Sequence, residues 1–333
     1  MATKRIIWSV YAAGLAPESS TSYTTIKGLQ SFGLTTTFNL EQVFEIGQLA
    51  IYENIEDIPD VEVTLEKVLD GEHLMLHLAT QGAGTGATLA ARSNQACEFY
   101  TSIYDDNNDS ASGTPLVGLH ASGMFLSSVG YTLPVDGNCT ESVTLVGNNI
   151  TWTSSPTMTG TLFNNSDTPA SGVQRRQDVV MGGSIVKFPL DIPGISSSGT
   201  NDKVNSDFNV HFQNISINAD LGREAINELG RKGAYFRPVT FPVEVTSEFE
   251  LIFLGNSNSG INTRVNALED ADNLTDQEIV IALADTTKFN LGTNNKLASV
   301  TYGNGDAGGG NMTETYSYTT FNDLTVSAPG DPG

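Results

Sequence analysis

Apolar and polar residues alternate along much of the chain, which predicts a protein built mainly from β-strands. The clearest cases are 61–66, read as Val-Glu-Val-Thr-Leu-Glu, and the later segment 249–253. In such a strand one face packs on a core and the other meets water, as in an antiparallel sheet with one wet face. Further strands are predicted at 6–11, 34–38, 72–77, 142–146, 210–219, 279–283, 297–302 and 315–326.

Two segments depart from this alternation and predict short helices, at 39–47 and 220–230. Each begins with a residue whose side chain can accept the amide hydrogens of a first turn, Asn39 or Asp220. Each ends on a glycine that suits a left-handed terminal residue. Helices of two or three turns need packing partners. The predicted fold class is therefore a β-sandwich or barrel with one short flanking helix per unit.

The same two segments begin an internal repeat. The segment 39–47 is followed by Pro59 and then by Val-Glu-Val-Thr, and 220–230 is followed at the same distance by Pro242 and the same four residue types. A match of this kind is the pattern left by duplication of a structural unit.

A second pair of motifs supports the first, in the same order. Ser-Val-Gly-Tyr at 128–131 precedes Asn-Cys-Thr-Glu at 138–141, and Ser-Val-Thr-Tyr at 299–302 precedes Asn-Met-Thr-Glu at 311–314. We therefore predict two tandem domains. Their predicted bounds are 1–175 and 176–333, with a loose C-terminal tail over 327–333 and surface turns at 105–113 and 303–310.

The chain is strongly acidic, with 38 Asp and Glu against 16 Lys and Arg and a net charge of -22. Such a surface repels nucleic acid, which argues against conventional DNA binding and fits a surface past which DNA slides. Adaptation to high salt and simple solubility are the alternative interpretations.

Charge also differs between the two repeats. The first carries a candidate lumen or subunit-interface acidic patch of Glu53, Glu56, Asp57 and Asp60. The second carries a candidate complementary basic interface of Arg231, Lys232 and Arg237. Opposite charges at the same place in alternating units suggest surfaces that meet in a ring.

No motif predicts catalysis, a metal site or a cofactor. His73 and His77, on a strand, would lie about 13 Å apart, too far to share one metal. Asp105, Asn107 and Asp109 begin a calcium-loop pattern that then lacks its glycine and its final glutamate. The glycine-rich segment 82–86 has the wrong spacing for a dinucleotide loop. We expect no enzyme and no cofactor.

Short runs at 33–41, at 221–224 with 228–231, and at 241–246 resemble tail tube and major tail structural proteins of tailed phages. The resemblance extends over most of the chain but rests on these short runs and not on a diagnostic motif. It implies a sandwich or barrel whose inner sheets join around a ring, with rings stacked into a hollow tube for the genome. It also implies a negative lumen, in keeping with the charge of this chain.

Family rings usually contain six tube domains, so a chain with two would complete a ring with three copies, a pseudo-hexamer. A true hexamer with one half outside is the alternative. The implied partners are further copies, other tail proteins, and genomic DNA that passes without specific binding. Location in the virion tail after synthesis in the host cytoplasm is expected, without a membrane, since no apolar run reaches the ~20 residues that span one. A tail-fibre or adhesin-like protein that binds a surface or carbohydrate is the alternative function.

Overall fold

The computed structural model describes residues 6–84, 86–107, 109–164, 166–204, 207–253, 265, 270, 272, 274–303 and 310–329. Over these residues the protein is mainly β, which confirms the predicted class. Residues 304–309 of the predicted turn at 303–310 and residues 330–333 of the predicted tail lie outside the described residues.

The strands are numbered in chain order. They are β1 (Tyr11–Pro17), β2 (Thr24–Thr25), β3 (Leu29–Thr37), β4 (Leu40–Phe44), β5 (Ile51–Glu56), β6 (Asp60–Val68), β7 (Ala96–Ile103), β8 (Val117–Pro134), β9 (Thr140–Gly147), β10 (Asn149–Thr153), β11 (Lys203–Val204), β12 (Asp207–Phe208), β13 (Phe212–Asp220), β14 (Glu244–Ile252), β15 (Val280–Ala282), β16 (Lys288–Asn290), β17 (Lys296–Tyr302), β18 (Thr313–Phe321) and β19 (Thr325–Ser327). The helices are α1 (Met75–Ala79) and α2 (Leu89–Arg92). Neither is long and apolar enough to cross a membrane.

One sheet of twelve strands organises the described chain, and the long strand β8 lies at its centre. The C-terminal part of β8 pairs with β9 on one side and β13 on the other. Eight strands thus follow one another in the order β3–β6–β9–β8–β13–β14–β18–β17, each antiparallel to its neighbours. The N-terminal part of β8 pairs instead with β7 and β10, and β7 continues to β1 and β2. Gly123, with a φ of 62°, lies between the two parts.

The inward side chains of this sheet form one apolar cluster that extends through both halves of the chain. It includes Val63, Leu145, Tyr131, Ile217, Phe249 and Tyr318, all buried. The small sheet β15–β16–β19 covers part of it, and the rings of Phe289 and Tyr131 lie 4.5 Å apart. Sheet and core both continue across residue 175, and the division into domains at that residue stays a prediction.

Neither predicted helix is present. Within 39–47, residues Leu40–Phe44 form β4, which pairs with β5 in a hairpin. Within 220–230 the chain is irregular, with isolated bridges Arg223–Val239 and Ile226–Phe236. The apolar residues of 39–47 are exposed, apart from the partly buried Val43, so a helix there would lack the packing that a short helix needs. Gly47 and Gly230 do adopt positive φ, but not at a helix end.

Two predicted strands are also wrong in place or type. The segment 72–77 was predicted as a strand, but the helix α1 begins within it at Met75. Its first amides, of Met75 and Leu76, donate to the buried carboxylate of Glu141 at 2.6 and 3.0 Å. A distant residue thus supplies the cap that a helix start requires. The strand predicted at 6–11 begins only at Tyr11, after a 3₁₀ turn.

The segment predicted as a single strand at 315–326 is divided into β18 and β19. Asn322 lies between them with a φ of 63°, a left-handed conformation that ends the extended run. The chain therefore crosses from the large sheet to the small one at this point.

Candidate assembly surfaces

The large sheet contains the same four-strand arrangement twice. We call β3–β6–β9–β8 the first unit and β13–β14–β18–β17 the second unit. Within each, the strands adopt the same spatial order and are antiparallel throughout. The repeat inferred from sequence motifs therefore corresponds to a repeat in sheet topology.

The register of pairing agrees residue by residue. Tyr131 lies opposite Glu141, and Tyr302 lies opposite Glu314, so the paired motifs face each other in both units. A β-bulge follows Leu126 on β8, and another follows the equivalent Leu297 on β17. Bulges are specific local features, so their coincidence supports descent of both units from one.

The register also corrects the alignment of the Val-Glu-Val-Thr motifs. Val61 lies opposite Thr36 and Gly147, and the corresponding place in the second unit, opposite Ala219 and Thr320, belongs to Val245. Matching the letters had placed Val243 there. The shift of two residues keeps the same face of the strand inward.

The two units are joined edge to edge by pairing of β8 with β13. Ile217 lies opposite Tyr131 and Ala219 opposite Val129, and all four side chains are buried. Backbone bonds from Leu221 N to Ser127 O and from Val135 N to Gln213 O, each 2.8 Å, continue this pairing beyond its ends. We call this contact the internal junction.

The outer edges of the eight-strand sheet, β3 and β17, have strand partners on one side only among the described residues. Exposed edges of this kind are templates for pairing, and proteins usually protect them with charges or proline. β3 has neither, and β17 has one lysine at its start. Within the described part of the chain, the sheet therefore has two unprotected edges.

Each unit inserts a segment between its first two strands. The first excursion, 38–59, contains the hairpin β4–β5, and the second excursion, 221–243, contains the two isolated bridges. The paired residues lie at equivalent positions in the two excursions. Leu40–Glu56 corresponds to Arg223–Val239, and Val43–Glu53 corresponds to Ile226–Phe236. The second excursion is an irregular form of the first.

The second excursion packs on the first unit. The Arg223 guanidinium donates to the carbonyls of Leu126 and Ser93 at 2.7 and 2.6 Å, and to its own excursion at the Arg237 carbonyl at 2.7 Å. Arg223 also lies over the ring of Phe125, and Phe236 meets that ring edge-on at 5.6 Å. Burial lowers the pKa of Arg223 to about 10, so it stays charged at neutral pH.

The first excursion instead projects into solvent with large apolar side chains on both of its strands. Ile46 and Leu49 at its tip are completely exposed. The other exposed members are Phe38, Leu40, Phe44, Ile51, Tyr52 and Ile55. An exposed apolar patch of this extent marks a surface for another protein.

The outward face of the eight strands is polar and acidic. Between its Ser, Thr, Asn and Gly residues it carries Asp60, Glu62, Glu66, Asp220, Glu244, Glu248 and Glu250. Lys296, at the start of β17, is the one basic residue that these strands expose. A face of this composition repels polyanions.

The predicted acidic residues occupy neighbouring positions. Glu53 and Glu56 lie on β5, Asp57 follows that strand and Asp60 begins β6, all four exposed. Their assignment to a lumen or an interface stays a prediction.

Of the predicted basic residues, Arg231 and Lys232 are exposed, and Arg231 lies 3.5 Å from Glu228. Arg237 is buried and pairs with Asp60 at 2.7 Å, so one predicted acid–base contact forms within a single chain. The predicted residues as a group are not brought together, and their role between chains stays a prediction.

Comparison with known proteins gives partial structural likenesses. A chain of the anti-feeding prophage baseplate has a TM-score of 0.35 at 13% identity, with 46% of this chain aligned to 98% of that one. The anti-feeding prophage cap and the sheath–tube complex of an extracellular contractile injection system, PVC, have TM-scores of 0.33 at 12% and 11% identity; each aligns with 46% of this chain and with 95% and 94% of its own. No protein-family model and no curated protein matches the chain. Likenesses of this size do not assign a role.

Sequence reasoning missed the residues that define these surfaces. Arg223 anchors the second excursion, and Tyr302 lies 42% exposed on an outer edge where its equivalent, Tyr131, is 1% exposed at the internal junction. The motif pair that contains both tyrosines was visible in the sequence, but it does not say which copy would be covered. Among the described residues, no group of three or more His, Cys, Asp or Glu side chains could hold a metal.

Proposed function

We propose that the chain is a structural protein of a phage tail whose copies join into rings, and that the rings stack into a tube that conducts DNA. The single observation that carries the proposal is the internal junction. It joins two equivalent units edge to edge, while the outermost strands of the same sheet have a partner on one side only among the described residues.

The contact is head to tail, because the last strand of one unit meets the first strand of the next. A head-to-tail contact repeats until a ring closes or a filament forms. Three copies would supply six units, which is the count that the resemblance to tail tube proteins implies.

The expected channel has a suitable size. Neighbouring strands lie about 4.8 Å apart, so three copies of the eight strands enclose a wall of about 115 Å in circumference and about 37 Å across. Tilt of the strands widens the ring further. The acidic outward face of the sheet would line a channel wider than a DNA duplex and would keep the DNA from binding.

The test is the state of the purified protein. Negative-stain images are expected to show rings or tubes with a central channel, and native mass spectrometry is expected to give masses in multiples of three chains. Monomers at every concentration and salt would contradict the proposal. A monomer that binds polysaccharide would instead favour the adhesin-like function. Rings of six chains would keep the tube and exclude the pseudo-hexamer.

A further inference from the structure

The internal junction specifies how two separate copies would meet. It joins the last strand of the first unit, β8, to the first strand of the second unit, β13. The equivalent strands that remain open are the last strand of the second unit, β17, and the first strand of the first unit, β3. A second copy of the same chain therefore fits the open edge of the first.

We propose that β17 of one copy pairs antiparallel with β3 of the next copy in the register of the internal junction. The inference rests on the proposed self-association and adds its residue pairing. Asn218 lies opposite Gly130, and their equivalents are Thr35 and Thr301. The proposal therefore sets Thr301 of one copy opposite Thr35 of the next. The flanking pairs are Tyr302–Leu34, Val300–Thr36 and Ser299–Thr37.

Burial supports this pairing. At the internal junction Tyr131, Val129, Ile217 and Ala219 are all at most 2% exposed. Their four equivalents, Tyr302, Val300, Leu34 and Thr36, are partly or largely exposed in the single chain. The core-facing side chains are thus buried at the internal junction, whereas their equivalents on β3 and β17 are not buried in the single chain. Pairing of the edges would bury them.

In the same arrangement, the first excursion of one copy would contact the second unit of its neighbour. Phe236 of the second excursion contacts Phe125 of β8. The residue equivalent to Phe236 is Glu53, and the residue equivalent to Phe125 is Lys296. An aromatic contact at the internal junction is thus replaced by opposite charges. Lys296 lies at present 3.7 Å from Asp276 and is half exposed, so it can also reach a carboxylate of a neighbour.

A second exchange is equally compatible. Arg237 of the second excursion pairs with Asp60 at the start of β6. The residue equivalent to Arg237 is Asn54, and the residue equivalent to Asp60 is Glu244. An amide can donate to a carboxylate. The exposed hairpin of one copy would therefore lie on β17 and the start of β14 of its neighbour, as the second excursion lies on the first unit.

Disulfide trapping tests the register. The backbone bonds at both ends of the internal junction make Asn218–Gly130 a pair without mutual hydrogen bonds, in which Cα atoms lie ~4.5 Å apart. That spacing accommodates a disulfide. We expect the double variant Thr35→Cys/Thr301→Cys to give covalent trimers on mild oxidation. The single variants and the shifted pair Thr35→Cys/Ser299→Cys are expected to stay mostly uncrosslinked.

Charge reversal tests the proposed contact between the hairpin β4–β5 and the neighbouring copy. Glu53→Lys and Lys296→Glu are each expected to weaken association by about tenfold, and the double reversal to restore it. Glu45→Lys is the matched control, because the equivalent Glu228 pairs with Arg231 of its own excursion. Association is measured by concentration-dependent light scattering.

The outcomes separate the inference from the function. Assembled rings whose shifted cysteine pair crosslinks better than Thr35→Cys/Thr301→Cys would overturn the register and keep the ring. Rings in which the double charge reversal does not restore association would overturn the proposed contact of the hairpin with the neighbouring copy. Monomers at all concentrations would overturn both the inference and the proposed function.

Discussion

Replacement of Arg223 by alanine is expected to destabilise the isolated chain strongly. Its guanidinium donates to three carbonyl oxygens at 2.6 to 2.7 Å, one on β8 of the first unit, one at Ser93 after α2 and one in its own excursion. A hydrogen bond from a charged group contributes ~1.5–3 kcal/mol, and buried acceptors that lose their donor bear a desolvation penalty. Because such terms are not additive, we expect a loss of about 3–5 kcal/mol in the free energy of unfolding.

This loss converts into a shift of the melting temperature. The unfolding entropy is ~2.1 cal/mol/K per residue, so a cooperative transition of all 333 residues shifts by about 4–7 °C. Circular dichroism is the appropriate signal, because both tryptophans, Trp8 and Trp152, are mostly exposed and would report unfolding weakly. The protein is kept dilute, because association would raise the melting temperature.

Arg231→Ala is the matched control, since that arginine is exposed and its contacts with Glu228 and with the ring of Tyr235 lie at the surface. We expect it to change stability by less than ~0.5 kcal/mol. A shift below about 1 °C for Arg223→Ala, or equal shifts for both variants, would refute the view that Arg223 holds the second excursion on the first unit.

Three further predictions follow from the described contacts. Gly130→Val should cost about 1–3 kcal/mol, because a Cβ there meets two polar side-chain atoms at 2.7 and 2.8 Å, whereas Thr301→Val at the equivalent exposed place should change chemical unfolding of the monomer little. Burial raises the pKa of Glu141, so between the ordinary carboxyl pKa and the raised one the folded state retains a proton that the unfolded chain releases. The stability of the wild type relative to Glu141→Gln should therefore fall as the pH rises through this range. A difference in stability that does not change with pH in urea titrations would contradict this. Burial also raises the pKa of Cys139 to about 12 and that of Cys97 as well, so both thiols should react with Ellman's reagent only after unfolding, and rapid reaction of the native protein would show that one is accessible.

Much of the sheet could be predicted because a half-buried strand leaves a period of two in its sequence. The segment 61–66 is the clear example, and its outward and inward residues lie as the alternation requires. The repeat was also visible, since the motifs at 128–131 and 299–302 occupy equivalent strands. Pairing partners and the two-residue shift at Val245 could not be predicted, because shifts that keep the same face inward leave the alternation unchanged.

The helix predictions failed for a physical reason. Leu40, Val43 and Phe44 have the spacing of a helical stripe, yet they belong to a hairpin whose apolar side chains have no core beneath them. Apolar residues that lie exposed on their own chain do not follow the burial pattern from which its secondary structure is predicted. At α1 the difficulty was reversed, since its cap is Glu141, far away in sequence.

The internal junction has a consequence for how the two halves can diverge. A contact within one chain forms at a fixed and high local concentration, whereas the same contact between chains depends on supply of the protein. If copies associate as proposed, Arg223 and Phe236 can be selected for folding alone, and Leu40 and Glu53 at the equivalent places for the timing and reversibility of growth. A protein with one unit per chain must satisfy both demands with a single surface. In the proposed assembly, fusion of two units separates the two demands, so that mutation could alter the rate of polymerisation without altering whether the subunit folds.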